Sequence, residues 1–273
     1  MTRCSAAVPK REPAREVWFL SSLLCLLVSL PSGEMPEQGE GPGHRSQRLA
    51  LTPAQEFDLG RRAYQEILNQ YSGRIVPTGR PEDRKVRQIA ARIVRAAGIR
   101  PLQREISLHL EGYRFEWEIH VIQSDQVNAF ALPGGKVAVF SGLLPVARDD
   151  DQLATVLAHE IAHVLAHHAS ERLAREQSGA GFLRRRAYDR NQESEADKIG
   201  VFLMTFAGYD PHEAVAFWQR MQRVTDNRGR LPEIVSDHPS DARRIHDLER
   251  WVPNAVAAKK AYEAGRVVPE PSR

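Results

Sequence analysis

The sequence predicts a mostly helical α+β domain with one small β-sheet, and three observations predict it. The stretch "YRFEWEIHVI" alternates Phe115, Trp117, Ile119 and Val121 with more polar residues, the pattern of a half-buried strand. "VNAFAL" and "KVAVF" follow it as two more short strands around a "PGG" turn at 133–135. Most of the remaining chain carries helical apolar periodicity, so a single sheet is set into a helical body.

The elements follow in order. Residues 1–32 read as a signal peptide or signal anchor. A basic region (Arg3, Lys10, Arg11, Arg15) leads into the apolar run "VWFLSSLLCLLVSL" and the small residues "PSG". That run is short for a bilayer-spanning helix, which favours export over a permanent anchor. Residues 33–50 are rich in Gly, Pro and charge and read as a flexible linker. A domain over 51–265 and a tail at 266–273 complete the chain. At its start Thr52, Pro53 and Gln55 form a capping box. A second helix is expected over about 81–97, with Val86, Ile89, Ile93 and Val94 on one face. After the sheet comes a histidine-bearing helix from Asp149. A loop with "SGAG" and "RRR" and a helix through "NQESEADKIGVFLMTF" follow it. Another helix is capped by Asp210, with Pro211 and Glu213 set for a capping box. A further helix from Pro239 and a last alanine-rich one ending near Gly265 close the domain.

Composition narrows the function. Both cysteines, Cys4 and Cys25, fall in the first segment, so the domain has neither a disulfide framework nor a thiol nucleophile. The net charge is +3, and the first segment's four basic and two acidic residues leave a body near +1. Such a body has no electrostatic case for nucleic acid as a partner. Nothing in the sequence fixes an oligomeric state.

The chemistry concentrates in "ATVLAHEIAHVLAHH", residues 154–168. "HEIAH" places His159 and His163 one turn apart on one helix face, where both imidazoles can reach one metal at about 2.0–2.1 Å. Glu160 lies about 100° round the helix and can instead take a proton from water. The flanks are apolar and small, so this is a buried helix, and histidines buried there need a partner. A hydrolytic zinc site takes a third protein ligand. A third histidine six residues after His163 is missing, for Ala169 stands there and Ala166 replaces the glycine of that pattern. His167 is too far along a straight helix, about 12 Å over two turns. His167 and His168 are therefore expected at a helix terminus or on the surface.

The third ligand is sought in "NQESEADKIG". On a helix, Glu193 and Asp197 share a face with Ala196, Gly200, Leu203 and Met204, while Glu195 points nearly opposite, towards solvent. Glu193 is assigned as ligand. Asp197 is assigned behind it, hydrogen-bonded to a liganding imidazole. The small Ala196 and Gly200 would let the two helices approach closely.

With both motifs in place, the sequence resembles metallopeptidase family 48, which includes CAAX prenyl proteases and HtpX-like proteases. The resemblance covers roughly residues 51–252. It rests on "NAFALPGG", "TVLAHEIAHVLAHH", "NQESEADKIG" and "HPSDARRI" in that order. It implies a zincin-type metalloprotease domain of the gluzincin group, with the small sheet beside the histidine helix. One Zn2+ per chain would be held by His159, His163 and Glu193, with Glu160 as catalytic base and Asp197 following the third ligand. His238 and Arg244 match the family's late histidine and arginine. Asn128, Ala129, Phe130, Gly134 and Gly135 match the substrate-binding segment along the cleft. No spanning helix is read after residue 32, so the chain is similar to the soluble, envelope-located quality-control branch. That branch implies unfolded polypeptides as substrates and a periplasmic or cell-envelope location.

Some readings stay open at this stage. His238 can stabilise the oxyanion, occupy the open zinc position at rest, or cap the helix beginning at Pro239. The "RRR" cluster, Arg184 to Arg186, can serve as a lid, as a contact with anionic lipid headgroups at a membrane surface, or as a solvated loop. A competing class is a non-catalytic, zinc-stabilised holding module for unfolded envelope proteins. Glu160 argues against it, because a structural zinc is closed by four ligands and has no use for a base beside it.

Overall fold

A computed structural model describes residues 38–40, 42, 45–178, 182–228, 232–238 and 242–266. The expected targeting segment at 1–32, nearly all of the tail and the side chains of Arg184 to Arg186 lie outside the described residues. Helix is the dominant element. The helices are α1 (Pro53–Gln70), α2 (Pro81–Ala97), α3 (Arg100–Glu105), α4 (Asp150–Leu165), α5 (His168–Gln177), α6 (Phe182–Phe206), α7 (His212–Arg228), α8 (Glu233–Asp237) and α9 (Ala242–Glu263). The strands are β1 (Gln38–Glu40), β2 (Ser46–Arg48), β3 (Glu118–Ile122), β4 (Ala129–Leu132) and β5 (Lys136–Phe140).

The main sheet runs β3-β5-β4, with β3 parallel and β4 antiparallel to β5. The central β5 is buried along its whole length, and β4 is left as an edge. The expected first strand is shorter than its alternation. The N–H groups of Glu116 and Glu118 donate to the carbonyls of Gly134 and Gly135 in the β4–β5 turn, so Phe115 and Trp117 precede β3 and stack on one another. Both turn glycines have positive φ, and a Cβ on Gly135 would come within about 3 Å of the Trp117 ring.

α4 is the axis of the domain. Asp149 caps it by accepting from Gln152 N, and nearly every residue it contains is buried. It packs against α2, α6, α7 and β4, which explains an apolar sequence all round rather than a single stripe. The approach of α6 is close: a Cβ on Gly200 would lie 3.1 Å from the backbone nitrogen of His159.

The capping box at Thr52 and Gln55 is present in full. At α7 it is not. Asp210 does accept from His212 N, but its own N–H goes to Asp151, and Glu213 accepts instead from Gln152. The "RRR" segment belongs to α6 and not to a loop. The two helices expected after Pro239 are one, α9, which carries Pro253 inside it. Within the stretch read as a linker, β1 pairs with β2, and Gln47 is buried against the carbonyl of Ala166. Among the described residues, no helix is long and apolar enough to cross a membrane.

Candidate metal centre

α4 ends at Leu165, and His167 stands in the left-handed region with φ of 56°. That conformation costs a non-glycine residue about 1–2 kcal/mol. A bond from His167 Nδ1 to Glu56 Oε2 at 2.9 Å and stacking on Tyr113 at 3.6 Å offset it. The break starts α5 at His168. Both histidines stand at a helix boundary, as one alternative expected, but they are buried, 6% and 1% exposed, which corrects the surface alternative. The physical reason is the reversal at His167, which folds α5 back over the end of α4 instead of releasing the chain to solvent.

His159 and His163 project from one face of α4, and Glu193 comes from the facing side of α6. His163 Nε2 lies 3.0 Å from His159 Nε2. The Glu193 carboxylate is 3.2 Å from His159 Nε2 and 3.4 Å from His163 Nε2. One metal ion fits that spacing. For bonds of about 2.0–2.1 Å, the edges of a tetrahedron around a metal measure about 3.3–3.4 Å. His238 joins from the C-terminal end of α8, with Nδ1 2.9 Å from Glu193 Oε2 and 3.1 Å from His159 Nε2. The potential ligand atoms of these four residues lie within 4.8 Å of one another.

The hydrogen bonds behind the cluster agree with a cation at its centre. His159 Nδ1 faces Asp197 Oδ1 at 2.9 Å, so it carries hydrogen and Nε2 is the atom turned inward. Arg244 holds Asp197 in place. Its Nη2 donates to Oδ1 at 2.6 Å, and its Nε lies 2.6 Å from Oδ2. The guanidinium stacks 3.4 Å above the Trp218 ring and also donates to the carbonyl of His238. A planar fork that stacks on a ring by one face and bonds along its edges is a role that lysine cannot fill.

Without a metal, protons take the cation's place. Burial works against charge on His238, but Glu193 and Glu160 outweigh it and hold its pKa well above the ordinary histidine value. Burial and Arg244 oppose a proton on His159, yet Asp197 and Glu193 raise its pKa as well. Burial drives His163 well below its ordinary value and keeps it neutral. Glu193 is held well below the usual carboxylate range. Burial alone would raise it, but the charge on His238 and hydrogen bonding to His159 overcome that effect.

The other residues singled out by sequence fall around this centre. Glu160 is buried, with Oε1 3.2 Å from His238 Nε2. Asn128 Nδ2 donates to Asp237 Oδ2, next in sequence to His238. Val127 accepts from Ile234 N and donates to Glu233, which pins α8 to the strand entering β4. Ala129 and Phe130 lie in β4. The carbonyls of Gly134 and Gly135 are committed to the 116–118 segment. Both His238 ring nitrogens face the cluster, and residues 239–241, where a capped helix was expected to begin, lie outside the described residues. Glu195 does not face solvent but meets His168 and Arg45, which corrects the expected outward orientation. Sequence reasoning missed Trp218, His168, Glu171 and Arg45, because each acts through contacts between segments distant in sequence.

A model of peptidase family M48 matches residues 82–182 and 178–252. The chain belongs to peptidase family M48. The chain is similar to "Mitochondrial metalloendopeptidase OMA1" of Schizosaccharomyces pombe, at 35% identity over 76% of this chain and 64% of that one. It is similar to the protein of the same name in Saccharomyces cerevisiae, at 37% identity over 77% of this chain and 68% of that one. It also matches "Beta-barrel assembly-enhancing protease" of Escherichia coli, at 26% identity over 51% of this chain and 35% of that one. The chain thus spans about two thirds of the fungal relatives and about a third of the bacterial one.

The proton-filled centre predicts a pH signature. A histidine whose pKa is raised on folding stabilises the fold fully below its unfolded value, near 6.5, and loses that contribution as pH rises through the folded value. The metal-free chain therefore loses stability above neutrality through His238 and His159, while a bound cation does not depend on those protons. The rise in Tm caused by Zn2+ should grow from about pH 6 to about pH 9. A rise that is flat or shrinks with pH in differential scanning calorimetry would contradict the assignment.

Proposed function

We propose that this protein is a zinc-dependent endopeptidase acting on unfolded polypeptides, with His159, His163 and Glu193 as ligands and Glu160 as general base. The observation that carries the reading is the convergence of two inward imidazole nitrogens and a buried carboxylate at metal–ligand spacing. Bound there, Zn2+ supplies a Lewis acid that acidifies water and polarises a carbonyl. The chain's own residues do the rest. Glu160, shielded from bulk solvent, takes the proton of the attacking water and returns it to the leaving amine. Asp197 and Arg244 keep His159 in the tautomer that presents Nε2. The slight exposure of His163, Glu193 and His238, 11–13% of each side chain, gives the centre access to solvent.

The edge strand β4 is suited to hold the substrate. Asn128 accepts from Phe140, so by antiparallel alternation Ala131 turns its backbone groups to the open edge, while the Ala129 N–H on that side is taken by Asn128 Oδ1. An extended peptide can pair there by main-chain bonds, which favours unfolded chains over a fixed sequence. Asn128 fastens this edge to α8, and Ala129 and Phe130 form its floor. Gly134 and Gly135 set the turn that ends it. We infer a location on the envelope or membrane side of the cell. The apolar first segment and the mitochondrial and β-barrel-assembly names of the relatives support it.

His238 bridges Glu160 and Glu193, the position that the attacking water would need. We read this as a resting arrangement in which His238 closes the site. Replacing it by Ala should raise casein cleavage, by up to about tenfold, which corresponds to about 1.4 kcal/mol of closure. A fall in rate would make His238 a stabiliser of the oxyanion instead, and a change within twofold would remove it from the mechanism.

Glu160→Gln should abolish casein cleavage, losing about 10²-fold or more, while Zn2+ content stays at one per chain. Equal cleavage by the variant and the wild type, both loaded with zinc, would leave a holding module as the better reading.

A further inference from the structure

Behind His163 lies a second polar assembly that the proposed chemistry does not use. The turn at His167 brings His168 back under α4, with Nδ1 2.7 Å from His163 Nδ1. The other nitrogen, Nε2, is 2.9 Å from Glu195 Oε2. Glu195 accepts from the Arg45 guanidinium on both oxygens, which makes it an acceptor towards His168 as well. An ionised carboxylate only accepts, so His168 Nε2 carries the hydrogen. A neutral imidazole has one, so His168 Nδ1 presents a lone pair. His163 Nδ1 must then be the donor in the contact between the two rings, and His163 Nε2 is left unprotonated and aimed at the metal centre.

This chain of tautomers is anchored from an unexpected direction. Arg45 donates from Nη1 and Nη2 to Glu171 at 2.6 and 2.8 Å, and from Nε and Nη2 to Glu195 at 2.9 and 2.6 Å. Gln47 and Gln192 donate to Glu171 at 3.1 and 3.0 Å, so the buried carboxylate is well satisfied. Arg45 and Gln47 come from the end that precedes the family-matched region, from a stretch whose composition suggests a linker.

We propose that His168 and Glu195, locked by Arg45 from the β2 segment, are positioning residues that fix His163 as the tautomer with Nε2 free to bind the metal. The proposal rests on the reading of His163 as a zinc ligand. Removing the relay lets His163 Nε2 carry its own hydrogen, and zinc must then displace the more stable tautomer. Outer partners of this kind typically change metal affinity by about 10–100-fold.

The test uses the full chain and Zn2+ in competition with a chromogenic chelator, with folding checked by circular dichroism. His168→Leu should weaken zinc binding about 10–100-fold. Glu195→Leu and Arg45→Met should weaken it in the same direction. Glu195→Gln keeps a carbonyl to accept from His168 Nε2, and it should recover affinity to within about threefold of wild type. Nitrogen-15 spectra of the metal-free wild type should show His163 protonated at Nδ1, a readout independent of any variant's folding. Folded His168→Leu and Glu195→Leu proteins that bind zinc as tightly as wild type would overturn the proposal, and so would a His163 protonated at Nε2. A wild type that binds no Zn2+ would instead defeat the zinc reading itself, while the tautomer measurement would still decide the relay.

Discussion

Two imidazole nitrogens that both present lone pairs, 3.0 Å apart beside a buried carboxylate, repel one another unless positive charge sits among them. The rest of the structure is arranged around that demand. Asp197 and Arg244 orient one imidazole, and His168 and Glu195 orient the other, so neither ring can escape by changing tautomer. In the absence of a metal the demand is met by protons on His238 and His159, so the same carboxylates that favour a cation also favour histidinium. Metal and protons therefore compete for one place.

The fold supplies rigidity for this arrangement in a specific way. α4 is buried along most of its length, so packing fixes His159 and His163 in place, and Gly200 lets α6 come close enough for Glu193 to reach across. The same α6 carries Glu193 and Asp197 towards α4 and Glu195 towards α5. One helix thus serves the ligand set and both of its supports. α8, tied to the strand entering β4, delivers His238 to the one side that keeps exposure. The strand entering β4, His238 and the His159–His163–Glu193 cluster are neighbours because Val127, Asn128 and Asp237 bind them together.

Much of this was legible in the sequence where the information is local. α2 runs over 81–97 as its apolar period requires, and the Thr52 capping box is made within four residues. HEIAH on a buried helix and Glu193 sharing a helix face with Gly200 are also local patterns. What was not legible is what depends on partners far along the chain. His167 and His168 read correctly as helix-end residues, but their burial was hidden, because nothing nearby announces that Glu56 and Tyr113 stabilise a left-handed turn there. Glu195 looked solvent-facing, because a helical wheel shows which side a residue takes but not what covers it. Arg45 sits among Gly and Pro, and two carboxylates distant in sequence give it a structural role.

The most direct test is anomalous diffraction at the zinc edge from crystals of the zinc-loaded full chain. The account predicts one peak per chain, about 2.0–2.1 Å from His159 Nε2, His163 Nε2 and a Glu193 oxygen. A peak that omits Glu193, or one lying elsewhere while these three side chains keep their present positions, would contradict it.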